Sequence, residues 1–203
     1  MPMAPLPRSA GRIGLHFARR GPMTALATLQ QVGNARVRFP GKREGTEPEA
    51  VLVNTAGGLT GGDSLDIAVH LDDGARAVVT TIAAEKLYRS LGEPTRIAGG
   101  VTLRPGAALD WLPQPTIVFD GARLVRSMAV EMAPDSSFLA VELLVFGRTA
   151  MGERLTRGGL RDTWRIRRGG RLVWADGLRL DEPYADAFNG TAVLAGVGAV
   201  ATI

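Results

Sequence analysis

Alternating apolar and polar residues mark the clearest strand of the chain, Ser64–Leu71. Side chains in a β-strand point alternately to opposite faces, so four apolar side chains here fall on one face. They are Leu65, Ile67, Val69 and Leu71. Asp72-Asp73-Gly74 follows and predicts a turn, because aspartate and glycine favour turn geometry. The segment is therefore expected to be a half-buried strand.

Three more segments have strand-like patterns. Ala75–Thr81 is rich in small and β-branched residues, and Leu124–Met132 alternates again. Phe138–Phe146 is a nearly continuous apolar run, which favours one strand covered on both faces. We expect each of these segments to be a strand.

A hairpin is predicted near the C-terminal end. Thr163–Arg168 and Arg171–Ala175 both alternate, and Gly169-Gly170 lies between them. A two-glycine loop between period-two strands is typical of a tight β-hairpin. Asp176-Gly177 offers a second turn, which leads into Leu178–Leu180.

Two segments are harder to interpret. Ala83–Leu91 has apolar residues at helical spacing, but it could equally be a strand. Pro40–Pro48 is polar and is expected to be a mobile loop. Turn signals recur along the chain from Gly61 onward, which favours an all-β sandwich, barrel or layered sheet. We predict a single domain over residues 1–203, with no internal repeat.

Composition narrows the possible chemistry. The 203 residues are 45% hydrophobic and 22% charged, as in a globular protein. Cysteine is absent, so disulfides, thiolate nucleophiles and thiolate metal ligands are excluded. The two histidines, His16 and His70, are too few for a three-histidine metal centre. No cluster of histidine, aspartate and glutamate at short spacing is predicted.

Charge and hydropathy suggest neither nucleic acid nor membrane as a partner. The net charge is +4, but the cations are 22 Arg against 2 Lys, which raises the isoelectric point. The arginine-rich segment Arg148–Arg171 has a single aromatic residue, Trp164, and no aromatic interleaving that supports base stacking, so a solvated or partner-facing strand is favoured over a nucleic-acid surface. Thr191–Ile203 is too short to span a bilayer, and the N-terminal segment has no apolar core of a signal peptide. A cytoplasmic location is expected.

A glycine-rich loop is the most conspicuous motif. Gly57, Gly58, Gly61 and Gly62 precede Asp63, which stands where a phosphate-binding loop would need lysine. Nucleotide binding is therefore disfavoured. The glycines indicate a sharp turn or close packing against another segment. Asp63 either caps this turn or presents a carboxylate at a close-approach surface.

Glu142 interrupts the apolar run Phe138–Phe146 and is expected to be buried or half-buried. A buried carboxylate must pair, protonate or bind a cation. Glu142 could pair with an arginine such as Arg148, or it could line a polar interior path. Glu85 and Glu153 carry similar but weaker arguments. No Gly-x-Ser-x-Gly motif or other catalytic constellation is found, so the residues favour a binding or scaffold protein over an enzyme.

Four blocks of sequence together resemble one family. They are VLVNTAGGLTGGDSL (Val51–Leu65), VVTTIAAEKLYRS (Val78–Ser90), WLPQPTIVFDGARL (Trp111–Leu124) and LLVFGRTAMGE (Leu143–Glu153). In order and spacing they resemble the UreD (also UreH) urease accessory proteins. The resemblance runs from about Gly11 to about Leu180.

The resemblance implies a mainly β fold of stacked or layered sheets, sandwich-like or solenoid-like, with a few short helices. It implies a protein that is not an enzyme and that binds apo-urease together with UreF and the GTPase UreG in a hetero-oligomer. The assembly would deliver Ni²⁺ to urease, with no tightly bound cofactor and with nickel only in transit.

The matching positions suggest which residues serve this role. Asp63 and Glu142 are the carboxylates expected to contact the metal transiently, and the loop glycines and Glu85 are expected to contribute to binding. Relatives usually continue beyond the position of Ile203, so a C-terminal segment of the family is expected to be lacking. The rival hypothesis is a nucleotide-binding or small-molecule-binding enzyme that uses the loop Gly57–Asp63.

Overall fold

A computed structural model describes residues 8–41, 47–184, 188–191 and 194–203. Within these ranges the chain is almost entirely strands and turns. The strands are β1 Ala10–Arg20, β2 Met23–Val32, β3 Ala35–Arg38, β4 Glu49–Asn54, β5 Ser64–Leu71, β6 Arg76–Thr81, β7 Glu85–Leu87, β8 Thr95–Leu103, β9 Ala108–Leu112, β10 Thr116–Val118, β11 Arg123–Met132, β12 Ser137–Ala140, β13 Glu142–Phe146, β14 Gly159–Arg168, β15 Arg171–Asp181 and β16 Ala199–Thr202.

The described strands form three sheets. The seven-stranded sheet has the order β15-β14-β11-β8-β5-β1-β2, and the five-stranded sheet has the order β12-β9-β6-β4-β3. The four-stranded sheet has the order β16-β13-β10-β7. A short 3₁₀ helix, Thr149–Met151, follows β13. The expectation of a mainly β, layered fold with little helix is confirmed.

Successive strands visit the three sheets in turn, which makes the fold solenoid-like. β5, β6 and β7 form one coil, β8, β9 and β10 the next, and β11, β12 and β13 a third. Equivalent strands of neighbouring coils pair in parallel. The structure therefore has a repeat of backbone path, which the absence of a sequence repeat did not predict. The coils share a backbone path and share no sequence motif.

Two apolar clusters fill the space between the sheets. One lies between the seven-stranded and five-stranded sheets and includes Leu15, Val69 and Val79. The other lies between the seven-stranded and four-stranded sheets and includes Leu87 and Leu124. Both are built from the inward-pointing residues of alternating strands. The seven-stranded sheet therefore has an inner face against the cores and an outer face toward solvent.

The clearest strand predictions are confirmed. Ser64–Leu71 is β5, and Ile67, Val69 and Leu71 are buried as the alternation indicated. The hairpin around Gly169-Gly170 is formed by β14 and β15, which pair antiparallel. Leu124–Met132 lies within β11.

Other predictions need correction. Phe138–Phe146 is two strands and not one, because the chain turns between β12 in one sheet and β13 in another. Asp176-Gly177 lies inside β15, where pairing with β14 overrides its turn tendency. Ala83–Leu91 contains the short strand β7, so the helical alternative is wrong. Pro40–Pro48 lies partly outside the described residues.

Among the residues that the structure describes, no helix has both the length and the apolar character needed to cross a membrane.

Candidate functional site

Three charged side chains meet between the two apolar clusters. Arg126 of β11 and Asp162 of β14 are cross-strand partners in parallel register. Arg126 points inward in the same phase as its apolar neighbours Leu124 and Met128. Glu142, the first residue of β13, approaches from the four-stranded sheet. We call Arg126, Glu142 and Asp162 the inner cluster.

The guanidinium of Arg126 bridges the two carboxylates. Its Nε donates to Asp162 Oδ1 at 3.0 Å, and its Nη2 donates to Asp162 Oδ2. The same Nη2 lies 2.8 Å from Glu142 Oε2. Trp111 Nε1 donates to Glu142 Oε1 at 3.1 Å. The three charged side chains are each at most 9% exposed, so their charges act on one another with little screening by solvent.

Glu142 is the member of the inner cluster that favours a proton. Burial raises its pKa above the ordinary value of 4.5, and the negative charge of Asp162 adds to that effect. Arg126 and the Trp111 hydrogen bond act in the opposite direction. The cluster holds one positive and two negative charges when both carboxyls ionise. A proton or a cation at Glu142 relieves this imbalance.

Glu142 also has an oxygen available for a ligand. Oε2 is buried, and among the described residues no donor meets it with hydrogen-bond geometry, although Arg126 Nη2 is near. A carboxylate oxygen has more than one lone pair, so the ion pair with Arg126 leaves this oxygen capacity for a further partner. This oxygen is thus the one in the cluster best able to accept a new partner.

Neighbouring cavities lead to the inner cluster from two directions. A cavity of about 70 Å³ is lined by Glu85, Arg126 and Glu142. A cavity of about 210 Å³ shares Arg126 and Glu142, and adds Asp162 and Asp176. Volumes of this size admit several water molecules. The inner cluster therefore lies between a mainly apolar cavity, into which its charged groups project, and a more polar one.

A third cavity extends the series toward the glycine-rich loop. It holds about 150 Å³ and is lined by Gly57, Gly58 and Glu85, so it shares Glu85 with the cavity at Glu142. Asn54 Nδ2 lies 3.1 Å from each carboxylate oxygen of Glu85 and donates to them. Burial raises the pKa of Glu85. Glu85 and Glu142, two of the carboxylates singled out in the sequence, thus line adjoining cavities.

The glycine-rich loop packs against the chain itself. Gly57, Gly58 and Gly62 have positive φ angles of 75°, 148° and 87°. A Cβ on Gly58 would lie 2.3 Å from the ring of Tyr88, and a Cβ on Gly61 would lie 2.1 Å from Ser90 Oγ. The expectation of a sharp, closely packed turn is confirmed. The same packing disfavours the rival hypothesis that the loop cradles a nucleotide.

Asp63 caps this turn. Its Oδ1 accepts from Ser9 N at 2.8 Å, and its Oδ2 accepts from Thr60 N at 2.8 Å. The side chain is buried, and both oxygens already have backbone partners. The geometry gives Asp63 a structural task, and its transient contact with metal stays a prediction.

The prediction that Glu142 pairs with an arginine is confirmed, but the example given, Arg148, is wrong because the partner is Arg126. Arg148 pairs with Glu153, at 2.8 Å, and not with Glu142. Arg126 takes that place because it points inward from β11, whereas Arg148 is half-exposed after β13. Sequence reasoning missed both Arg126 and Asp162. The sequence pattern could have identified both residues, since each is a charged residue at an inward position of an alternating strand, where an apolar residue is expected.

The outer face of the seven-stranded sheet holds a second cluster. His16, His70 and Asp72 place one nitrogen or oxygen ligand atom each within 4.8 Å of one another. The sequence predicted no such cluster, because His16 is far from the other two along the chain. Parallel pairing of β1 with β5 brings them together. We call these three residues the outer cluster.

Comparison with known proteins gives a consistent result. Residues 9–203 match the family model described as UreD urease accessory protein. A protein of Methylobacterium sp. (strain 4-46) named urease accessory protein UreD is 48% identical over 97% of this chain and 70% of its own length. The protein of that name from Azorhizobium caulinodans is 44% identical over 97% of this chain and 72% of its own. A UreD 1 protein of Methylobacterium radiotolerans is 48% identical over 97% of this chain and 68% of its own.

Proposed function

The chain belongs to the UreD family of urease accessory proteins, and we propose that it is a non-catalytic maturation factor that helps Ni²⁺ reach the active site of apo-urease. Its partners in this role are UreF, the GTPase UreG and apo-urease, within one hetero-oligomer. The expectations of a cytoplasmic location and of no nucleic-acid partner stay predictions.

The series of adjoining cavities carries this proposal. Carboxylates occur along it, at Glu85, at Glu142 with Asp162, and at Asp176. Ni²⁺ is a borderline cation that carboxylate oxygens and water hold less tightly than thiolates do. A chain without cysteine, whose cavities hold carboxylates and water-sized spaces, suits transient contact better than storage.

The inner cluster has the charge needed for transient contact. With both carboxyls ionised it carries one net negative charge, which attracts a dication without neutralising it. The raised pKa of Glu142 means that a proton competes with the arriving cation. Arg126 keeps its bidentate contact with Asp162 while Glu142 Oε2, which no described donor meets with hydrogen-bond geometry, turns from Arg126 to the ion. The small net charge of the cluster and the competing proton both weaken cation binding and so favour release of the ion.

The test is activation of urease in cells that express urease with its other accessory proteins and a variant of this chain. We expect Glu142→Gln and Glu85→Gln each to lower urease activity and nickel content about tenfold or more, because an amide cannot supply the carboxylate charge. Pulldown of UreF and apo-urease is expected to be unchanged. Asp66→Asn is the control, since Asp66 is an exposed carboxylate of β5 that contacts Arg12 and lines none of these cavities among the described residues.

Asp63→Asn separates capping from metal contact. A capping role predicts a lower melting temperature together with weaker activation, since one backbone donor loses its carboxylate partner. A metal-contact role predicts weaker activation at an unchanged melting temperature. Full activation by both Glu85→Gln and Glu142→Gln, with both proteins folded, would overturn the proposed passage.

A further inference from the structure

The outer cluster is built by strand register. His16 and His70 are direct cross-strand partners in the parallel pair β1–β5. Asp72 lies two residues after His70, so its side chain returns to the same face of the sheet. The backbone N–H of Asp72 donates to Phe17 O at 2.9 Å, which holds the end of β5 against β1. The three side chains therefore share one outer-face position.

The ligand atoms converge on one carboxylate oxygen. His16 Nε2 lies 3.0 Å from Asp72 Oδ1, and His70 Nε2 lies 3.1 Å from the same oxygen. Separations near 3 Å are those of neighbouring ligands around one ion when metal–ligand distances are about 2.1 Å. The two imidazole rings are 4.9 Å apart and nearly perpendicular, at 73°. Small side-chain rotations bring all three atoms to a common ion.

Within the described part of the chain, the Nε2 atom of His16 has no well-aligned hydrogen-bond partner. Although Asp72 Oδ1 is 3.0 Å away, no described residue meets the buried Nε2 atom with hydrogen-bond geometry. His70 Nε2, by contrast, is hydrogen-bonded to Asp72. Asp72 Oδ1 therefore holds His70 Nε2 in a hydrogen bond and leaves His16 Nε2 in a close but misaligned contact. A metal ion at the shared position would satisfy this nitrogen.

A groove gives access to the cluster. Its floor is a row of small residues on four neighbouring strands, each in register with the next: Gly14, Ala68, Gly100 and Ala129. The next row along these strands holds His16, His70, Thr102 and Glu131, which also line the groove. The three cluster side chains are 37–42% exposed. A hydrated ion can therefore reach them without any opening of the fold.

We propose that His16, His70 and Asp72 form a binding site for one divalent transition-metal ion, such as Ni²⁺ or Zn²⁺, on the outer face of the seven-stranded sheet. Two imidazoles and one carboxylate suit borderline cations better than the hard ions Mg²⁺ and Ca²⁺. Three protein ligands leave positions open for water or for a side chain of a partner. The site goes beyond the proposed passage, because it lies on the opposite face of the sheet from the inner cluster.

The test is metal binding to the purified full chain, with any histidine tag removed. Isothermal titration with Ni²⁺ and with Zn²⁺ is expected to show one site, and titration with Mg²⁺ is expected to show none. His16→Gln, His70→Gln and Asp72→Asn are each expected to weaken Ni²⁺ binding by about tenfold or more. Asp66→Asn is the matched control, since Asp66 is an exposed outer-face carboxylate of the same strand that contacts Arg12.

Circular dichroism and thermal melting identify variants that fail to fold. If His16→Gln does not fold, His70→Gln and Asp72→Asn decide the question. Histidine ligation is checked by shifts of the imidazole proton resonances on addition of Co²⁺. No binding of Ni²⁺ or Zn²⁺ by the wild-type chain would overturn the proposal, as would unchanged binding by folded His70→Gln and Asp72→Asn. Loss of binding in Glu142→Gln alone would place the ion in the interior and would leave the proposed function standing.

Discussion

The inner and outer clusters both arise from parallel strand pairing, on opposite faces of one sheet. In each, parallel strands line up side chains from distant parts of the sequence: Arg126 opposite Asp162 inside, and His16 opposite His70 outside. Their surroundings differ. The inner side chains are at most 9% exposed, whereas the outer ones are 37–42% exposed.

This difference in solvent exposure determines how a substitution in each cluster affects the stability of the fold. Inside, every charge must be balanced by a neighbour, so a change in one residue alters the others and the stability of the fold. Outside, water balances the charges, so the residues can be changed at little structural cost. We therefore expect inner substitutions to change stability and outer substitutions to change only ligand binding.

Arg126→Met is expected to have the largest effect. It leaves two buried carboxylates without their cation, and breaking a buried pair in this way costs about 3–5 kcal/mol. Urea unfolding at neutral pH measures the free energy of unfolding. A loss below about 1 kcal/mol would mean that the inner cluster is solvated like the outer one, and the contrast would fail.

Asp162→Asn is expected to cost less, about 1–3 kcal/mol, because it removes the bidentate partner of Arg126 but leaves Glu142 as a counter-ion. The same unfolding experiment measures this. Asp66→Asn on the outer face, whose side chain is 52% exposed, is the control and is expected to change stability by less than about 0.5 kcal/mol. Equal effects of the two substitutions would count against the distinction between the faces.

Glu142→Gln is expected to change stability by less than about 1 kcal/mol at neutral pH, because Arg126 and Asp162 remain as a balanced pair. Glu142→Gln is distinguished by how its free energy of unfolding depends on pH. The folded pKa of Glu142 is raised above 4.5, so the folded state holds this proton more tightly than the unfolded state does. Wild type should therefore gain stability relative to Glu142→Gln as pH falls through the folded pKa toward 4.5. Unfolding curves of both proteins at several pH values test this, and an opposite trend would contradict the assignment.

The outer cluster gives the smallest effect in the absence of metal. His70→Gln and Asp72→Asn should change the free energy of unfolding by less than about 0.5 kcal/mol, as is usual for exposed pairs. With Ni²⁺ at a hundred times its dissociation constant, wild type should gain about 2.7 kcal/mol that the variants do not gain. Thermal melting with and without Ni²⁺ provides the measurement, and equal shifts in all proteins would show binding elsewhere.

Much of the fold could be predicted from local patterns, because alternation directly reports which residues face a core. β5, β11 and the β14–β15 hairpin were predicted in this way. The repeat of coils could not be predicted from local patterns, since coils of unequal length leave no fixed period in the sequence. The pattern of Phe138–Phe146 predicts one strand, because an apolar run does not show where the chain passes from one sheet to another.

The two clusters also contain parts that the sequence predicts and parts that it does not. Burial of Glu142 was predictable from its place in an apolar run, and the role of the loop glycines from their number. Arg126 could have been predicted to be buried, because it alternates in step with the apolar residues Leu124 and Met128. The outer cluster could not be predicted from spacing, since only the parallel register of β1 and β5 places His16 beside His70.

We propose that interior carboxylates, and not the exposed carboxylates of the outer face, serve the delivery of nickel. The most direct measurement is the rate at which purified apo-urease gains nickel in a complex assembled with UreF, UreG and either wild type or Glu142→Gln. We expect this rate to be about tenfold or more lower for Glu142→Gln, in complexes of unchanged composition. Equal rates for the two complexes would contradict the proposal.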